Sequence, residues 1–229
     1  MNAAVFASGS GSNFQALLDR EGKGALWTTR LLIVDRPEAG AVARAERAGV
    51  PVRHIAVGGR PPAEVGQVTL NALRGAAIDV IFLAGYLRLV PAPVVGAFPR
   101  RILNMHPALL PAFGGKGMWG AAVHEAVLRS GARVTGATVH FVDERYDEGS
   151  ILAQWPVPVR PGDDAAELAA RVLAVEHLLY PLAAQHLCRA LAAGVEPAPL
   201  APPGGAYSLT EGIDQSHLTH LTQGAFRSP

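Results

Sequence analysis

The chain has 229 residues, 49% of them apolar and 17% charged, with a formal net charge of +1. That is enough apolar material for one large packed domain, and it argues against disorder over most of the length. The near-neutral balance gives no reason to expect a nucleic-acid or membrane surface as the main partner, and the single cysteine, Cys188, excludes an internal disulfide and suits a reducing compartment.

The opening Met1-Asn2-Ala3-Ala4-Val5-Phe6 lacks the basic stretch of a secretory signal, and no uninterrupted apolar run approaches the ~20 residues of a membrane span. A cytoplasmic protein is therefore expected. Residues 3–7 read as a short strand, followed by Ser8-Gly9-Ser10-Gly11-Ser12-Asn13 and then by Phe14-Gln15-Ala16-Leu17-Leu18 at helical spacing. Strand, glycine turn and helix together aim free backbone N–H groups and the positive end of a helix dipole at an anion, a phosphate above all. Gly9 and Gly11 allow close approach and positive φ, and Ser12 or Asn13 is placed to cap the helix. No Gly-Lys-Ser/Thr follows, and Phe14 stands where a dinucleotide fingerprint needs its third glycine. An ordinary connector would look the same.

The alternation continues with strands over 31–34, 50–55 and 78–84 and helices over 39–48, closed by Gly49, and 64–73. Next comes Ile102-Leu103-Asn104-Met105-His106-Pro107, a buried strand that should end at Pro107, which has no N–H for a ladder. Alternate residues share a face, so Asn104 and His106 would be neighbours at a sheet edge or at the lip where open α/β sheets bind ligands. The stretch alone is equally a core strand with a satisfied Asn and a structural His.

Glycines at 114, 115, 117 and 120 mark a mobile loop, and 121–128 has helical character. Two β-rich segments, 133–142 and 151–159, flank the acidic loop 143–150 and suggest an antiparallel extension. Asp163 or Asp164 should cap a long helix over 165–193, which Pro181 should kink or restart; Glu176 and His177 on it read as a solvated pair. From Gly194 the chain is rich in Pro and Gly and then polar, so 1–193 is expected to form one domain and 194–229 an extended, loosely attached tail. The whole predicts a single Rossmann-like α/β domain: a mostly parallel central sheet, extended by an antiparallel C-terminal part, with helices on both faces.

An Asn amide and a protonated His both donate to an oxygen that gains charge in acyl transfer, and a carboxylate from the loop holding Asp143 and Asp147 would favour the imidazolium and relay a proton. No Ser or Cys has a nucleophile-elbow context, and neither H-E-x-x-H nor a Cys cluster is present, so neither a covalent acyl-enzyme nor a metal is expected. Direct attack by a substrate nucleophile on an activated acyl donor remains.

Five separated motifs carry a resemblance: Ser8-Gly9-Ser10-Gly11-Ser12-Asn13-Phe14-Gln15, Leu83-Ala84-Gly85-Tyr86-Leu87-Arg88, Asn104-Met105-His106-Pro107 with Leu109-Leu110-Pro111, Thr135-Gly136-Ala137-Thr138-Val139-His140-Phe141-Val142, and Asp147 with Gly149. In this order the chain resembles the phosphoribosylglycinamide formyltransferases. The resemblance implies transfer of a formyl group from 10-formyltetrahydrofolate, a cosubstrate, to the amine of glycinamide ribonucleotide, without a metal. It implies that Asn104 and His106 hold the formyl oxygen and that Asp147 pairs with His106 and assists proton transfer. Gly11, Ser12 and Asn13 would bind the substrate phosphate and Glu176 the nucleotide. Leu87, Arg88, Leu89 and Val90, with Asn104, Val142, Asp143 and Asp147, would line the folate pocket, Arg60 would hold the folate glutamate, and Leu110-Pro111 would be cis.

Leu173 stands where a relative carries Gln near the nucleotide. The Asn-x-His-Pro core also occurs in methionyl-tRNA formyltransferase and formyltetrahydrofolate hydrolase. A tRNA enzyme should bring a further C-terminal domain and a basic surface, the hydrolase an N-terminal regulatory domain, and a nonenzymatic nucleotide-binding module would not need Asn104, His106 and Asp147 together.

Overall fold

The computed structural model describes residues 1–200, so most of the expected tail lies outside the described residues. In chain order the elements are β1 (Asn2–Ala7), α1 (Ser12–Glu21), β2 (Thr28–Val34), α2 (Gly40–Ala48), β3 (Val52–His54), α3 (Pro62–Gly75), β4 (Val80–Leu83), α4 (Ala92–Ala97), β5 (Ile102–His106), α5 (Ala121–Ser130), β6 (Val134–Phe141), β7 (Ile151–Pro158) and α6 (Ala165–Ala192). The strands form one sheet in the order β3-β2-β1-β4-β5-β6-β7. Pairing is parallel from β3 through to β5 and antiparallel for β5 with β6 and β6 with β7. This is the predicted α/β architecture, with its antiparallel extension where the sequence put it.

The β-strand period divides the core in two. On one face Leu103 and Met105 join Phe14 and Leu17 of α1, Val127 of α5 and the buried side of α6. On the other, Ile102 joins Val65, Leu70 and Leu73 of α3 and Val94 of α4. Helix α4 was not anticipated; Pro91-Ala92-Pro93 opens it, and proline is well tolerated in a first turn because its missing N–H would have had no partner.

Strand β5 lies inside the sheet, so Asn104 and His106 stand at a carboxyl-end lip and not at an edge. Beside it the connections reverse direction between β1 and β4, the switch point at which such sheets leave a crevice. Two hydrogen bonds tie the loops there: Ser8 N–H to Gly85 O at 3.1 Å and Leu87 N–H to Ser8 Oγ at 2.9 Å. Deep in the sheet, the Tyr180 hydroxyl lies 2.9 Å from Leu83 O and 3.0 Å from Leu103 O, which fixes α6 across the ends of β4 and β5.

Two helix starts refine the expectations. Gly11, at φ 73°, is the N-cap of α1 and no side chain caps it, so Ser12 and Asn13 are its first helical residues, not caps. A Cβ at Gly11 would lie 2.8 Å from Ala41, which leaves no room for any other residue where α1 meets α2. For α6 the cap is Asp164, whose Oδ1 accepts from Glu167 N–H at 2.8 Å while Glu167 Oε2 accepts from Asp164 N–H at 3.0 Å. Helix α6 runs unbroken through Pro181 for 28 residues, so of the kink or restart expected there the restart does not occur. Its long buried face offsets the ~3 kcal/mol that an interior proline costs.

Beyond α6, Leu200 N–H reaches Leu152 O at 2.7 Å and Glu196 pairs with Arg100 at 2.6 Å. Among the described residues no helix is long and apolar enough to cross a membrane.

Candidate active site

The loops at the carboxyl ends of β1, β4 and β5 open into a cavity of about 810 Å3, closed on its other sides by the glycine loop 114–120, the loop after β6 and the first turns of α6. Asn104, His106 and Asp147 all stand in its wall.

Antiparallel register places His140 of β6 opposite Asn104. His140 Nδ1 is 2.8 Å from Phe141 O; a carbonyl only accepts, so Nδ1 carries a hydrogen and, in the neutral ring, Nε2 accepts the Asn104 amide N–H at 3.0 Å. By the same argument His106 Nε2–H donates to Phe113 O at 2.9 Å, which leaves Nδ1 facing Asp147 Oδ2 at 3.6 Å. Burial lowers the His106 pKa and the neighbouring carboxylate restores only part of it.

Asp147 accepts from Gly115 N–H at 2.9 Å, and its Oδ1 is 3.5 Å from both Asn104 Nδ2 and His140 Nε2. Burial would raise its pKa, but His140, His106 and the Gly115 N–H outweigh that and hold the carboxyl below its ordinary value. Both residues that engage His106 have a left-handed backbone, Phe113 and Asp147 each at φ 57°, a conformation worth roughly 1–3 kcal/mol of strain that the surroundings must impose. Part of that imposition comes from glycines. A Cβ on Gly149 would collide with Phe141 O, and one on Gly114 would lie 2.5 Å from Leu110 Cδ2 and 3.3 Å from Asp147 Cβ. The Leu110-Pro111 bond beside this loop is cis, as the resemblance implied.

Toward α1 the cavity is lined by Ser12, Asn13 and Glu176. Asn13 Nδ2 donates to Glu176 Oε2 at 2.6 Å. Glu176 is buried, not the solvated residue the helix pattern suggested, because α1 packs over it; burial raises its pKa and the Asn13 bond only partly offsets this. Gly11 shapes the turn behind Ser12 and does not line the cavity.

At the other end Leu87, Arg88, Leu89, Val90 and Val142 line the wall. Arg88 Nε reaches the buried Asp35 at 2.7 Å, which anchors this loop to the end of β2. Asp143 is not part of the lining; its Oδ1 accepts from Arg145 N–H at 2.8 Å within its own turn. Arg60 is likewise outside it, paired with Glu64 at 2.7 Å on α3. Leu173 lines the cavity beside Glu176 and offers no polar atom there.

Sequence reasoning assigned no role to His140, His124 or Trp119. His140 enters the site only through the strand register that sets it opposite Asn104. His124 is buried in the cavity wall with Nδ1 unpartnered, and first burial, then His106, lowers its pKa. Trp119, on the glycine loop, is 54% exposed at the cavity rim, with Leu89 and Tyr146 also exposed there. Among the described residues no group of His, Cys, Asp or Glu is arranged to hold a metal ion. Cys188 is buried, and burial pushes its thiol up to about 12, which suits a packing role.

Residues 1–184 match the family model described as formyl transferase. A chloroplastic phosphoribosylglycinamide formyltransferase of Vigna unguiculata is 47% identical over 187 residues, which is 81% of this chain and 60% of that protein. Its counterpart in Arabidopsis thaliana is 47% identical over 180 residues, 77% of this chain and 62% of that protein. The chain thus spans 60–62% of the length of these curated relatives. The crystal structure of glycinamide ribonucleotide transformylase 1 from Symbiobacterium toebii superimposes with a TM-score of 0.76 at 41% identity, covering 82% of this chain and 88% of that one.

Proposed function

The chain belongs to the formyl transferase family, and from that premise we propose that it moves a formyl group from 10-formyltetrahydrofolate to the amine of glycinamide ribonucleotide, a step of purine biosynthesis. The observation that carries this reading is one cavity that holds Asn104, His106 and Asp147 together with the α1 turn and the 87–90 loop.

The nucleotide phosphate sits at the N-terminus of α1 against the backbone N–H groups of Ser12 and Asn13, with Gly11 giving the turn its shape. Glu176 meets the sugar. The folate enters along Leu87, Leu89, Val90 and Val142, whose apolar side chains suit an aromatic ring system, beside the Arg88 guanidinium that Asp35 holds. Asp143 acts on this pocket through the turn it holds.

The amine attacks the formyl carbon, and the carbonyl oxygen takes up negative charge. Asn104 donates to it through its amide. With His106 Nε2–H engaged by Phe113 O, the nitrogen that gains a proton and donates is Nδ1, and Asp147 supplies the opposite charge that favours this state. A proton must also pass from the attacking amine to the departing folate nitrogen, for which Asp147 is the nearby carboxylate. Both substrates are small and water-soluble, in keeping with the cytoplasmic placement expected for the chain, and the reaction requires neither nucleic acid nor membrane.

Purified protein mixed with 10-formyltetrahydrofolate and glycinamide ribonucleotide should release tetrahydrofolate, followed optically, only when both are present. No release, or the same release with water as sole acceptor, would overturn the proposal, the latter in favour of hydrolysis.

A further inference from the structure

A second cavity, of about 490 Å3, lies against the acidic loop. Leu110, Pro111, Glu148 and Ile151 wall it, and the exposed Pro111 and Glu148 open it to solvent. Three residues, Gly115, Tyr146 and Asp147, line this cavity and the substrate cavity alike. Of these only Asp147 carries a carboxyl group; its Oδ1 lies toward Asn104 and His140, and its Oδ2 accepts from the N–H of Gly115, a residue of both walls.

The chemistry gives that carboxyl group a task. An aliphatic amine with a pKa near ~8 arrives largely as the ammonium ion, so each turnover sheds one proton. If it left by the way the substrates enter, it would have to pass two bound ligands. We propose that the second cavity is the proton exit of the site, with Asp147 taking the proton on the substrate side and delivering it to water on the other; this rests on the formyl-transfer reading above.

The steps balance. The ammonium gives its first proton to the Asp147 carboxylate and becomes a free amine. The amine lone pair then forms the N–C bond to the formyl carbon. Asp147 hands the first proton to water in the second cavity and, ionised again, takes a second amine proton and passes it to the folate nitrogen as its C–N bond breaks. No oxidant or further reactant enters. The carboxyl is placed for the task, 3.6 Å from His106 Nδ1 and 3.5 Å from His140 Nε2 in the wall of the substrate cavity. The glycines at 114 and 149 keep the loop tight around it without filling the outer space.

Chemical rescue distinguishes this path from the substrate route. In Asp147→Ala, acetate should restore part of the lost rate, and the acetate concentration needed should not rise when both substrates are made saturating. Adding Glu148→Trp, a change at an exposed side chain on the outer mouth, should raise that concentration by about tenfold. Ile151→Trp serves as a second plug should the first fail to fold. Acetate that competes with either substrate, rescue indifferent to both plugs, or no rescue at all would each overturn the exit. Turnover of the unsubstituted enzyme with the two substrates, run in parallel, reports separately on the formyl-transfer reading.

Discussion

Asp147 concentrates several demands in one side chain: a left-handed backbone, a bond from the Gly115 N–H, and imidazoles at 3.5 and 3.6 Å. Asp147→Asn keeps the shape and removes the charge, so kcat should fall on the order of 10²-fold or more while both KM values change little; steady-state kinetics that showed an unchanged kcat would take Asp147 out of the mechanism. Glu176 poses the opposite electrostatic case. Its folded pKa is raised by burial with only Asn13 to offset it, so the unfolded chain gives up this proton at lower pH than the folded one. Its contribution to stability is therefore full below the unfolded value, near pH ~4, and is lost as pH rises through the folded value. Glu176→Gln should flatten that decline in a series of melting temperatures against pH, and a variant whose profile matches the unsubstituted protein would show that Glu176 is not held neutral. The pairing of Asn104 with His106 was legible because period two in a strand ending at proline is local information. The burial of Glu176 was not, since it depends on α1 packing over a residue 163 positions away in sequence.

The loop after β6 works as an element only because two strands let it close. Gly149 is pressed against Phe141 O, so the return from β6 into β7 has no space for a side chain at that point. Gly149→Ala should cost about 1–3 kcal/mol in urea denaturation, the usual penalty for overfilling a packed site, and should lower kcat because the same displacement moves Asp147. A variant of full stability and full activity would mean that the loop has slack the structure does not show. Much of the element pattern could be read in advance: the strand at 102–106, the antiparallel pair, and the aspartate cap of α6 each rest on signals carried within a few residues. Helix α4 was hidden by its own prolines, and of the kink or restart expected at Pro181 the restart does not occur, because the packing of α6 across the sheet outweighs a local preference.

At the scale of the molecule, the site exists because the sheet changes direction. At the reversal between β1 and β4 the connections leave on opposite faces of the sheet, which opens a crevice, and the antiparallel β6 then brings His140 and the acidic loop to its far side. No stretch of sequence contains that arrangement. The motifs named the residues, and the strand order decided that a turn at 8–13, a loop at 87–90 and a loop at 143–150 share one space. Length comparison adds a boundary: the curated relatives are longer than this chain, while the matched region includes every strand that contributes to the cavity.

The exposed ring on the glycine loop makes the protein its own optical probe. Of three tryptophans, Trp27 and Trp155 are 3% and 6% exposed, against 54% for Trp119. A collisional quencher dissolved in water therefore reaches one indole and spares two. Because that indole borders the cavity mouth, a folate seated there should shield it, and the quenchable share of the emission should fall along the same saturation curve as the catalytic rate. Emission that stays equally quenchable at saturating folate would place the bound cosubstrate away from this rim. Occupancy of the mouth becomes measurable without a label, in the unsubstituted protein.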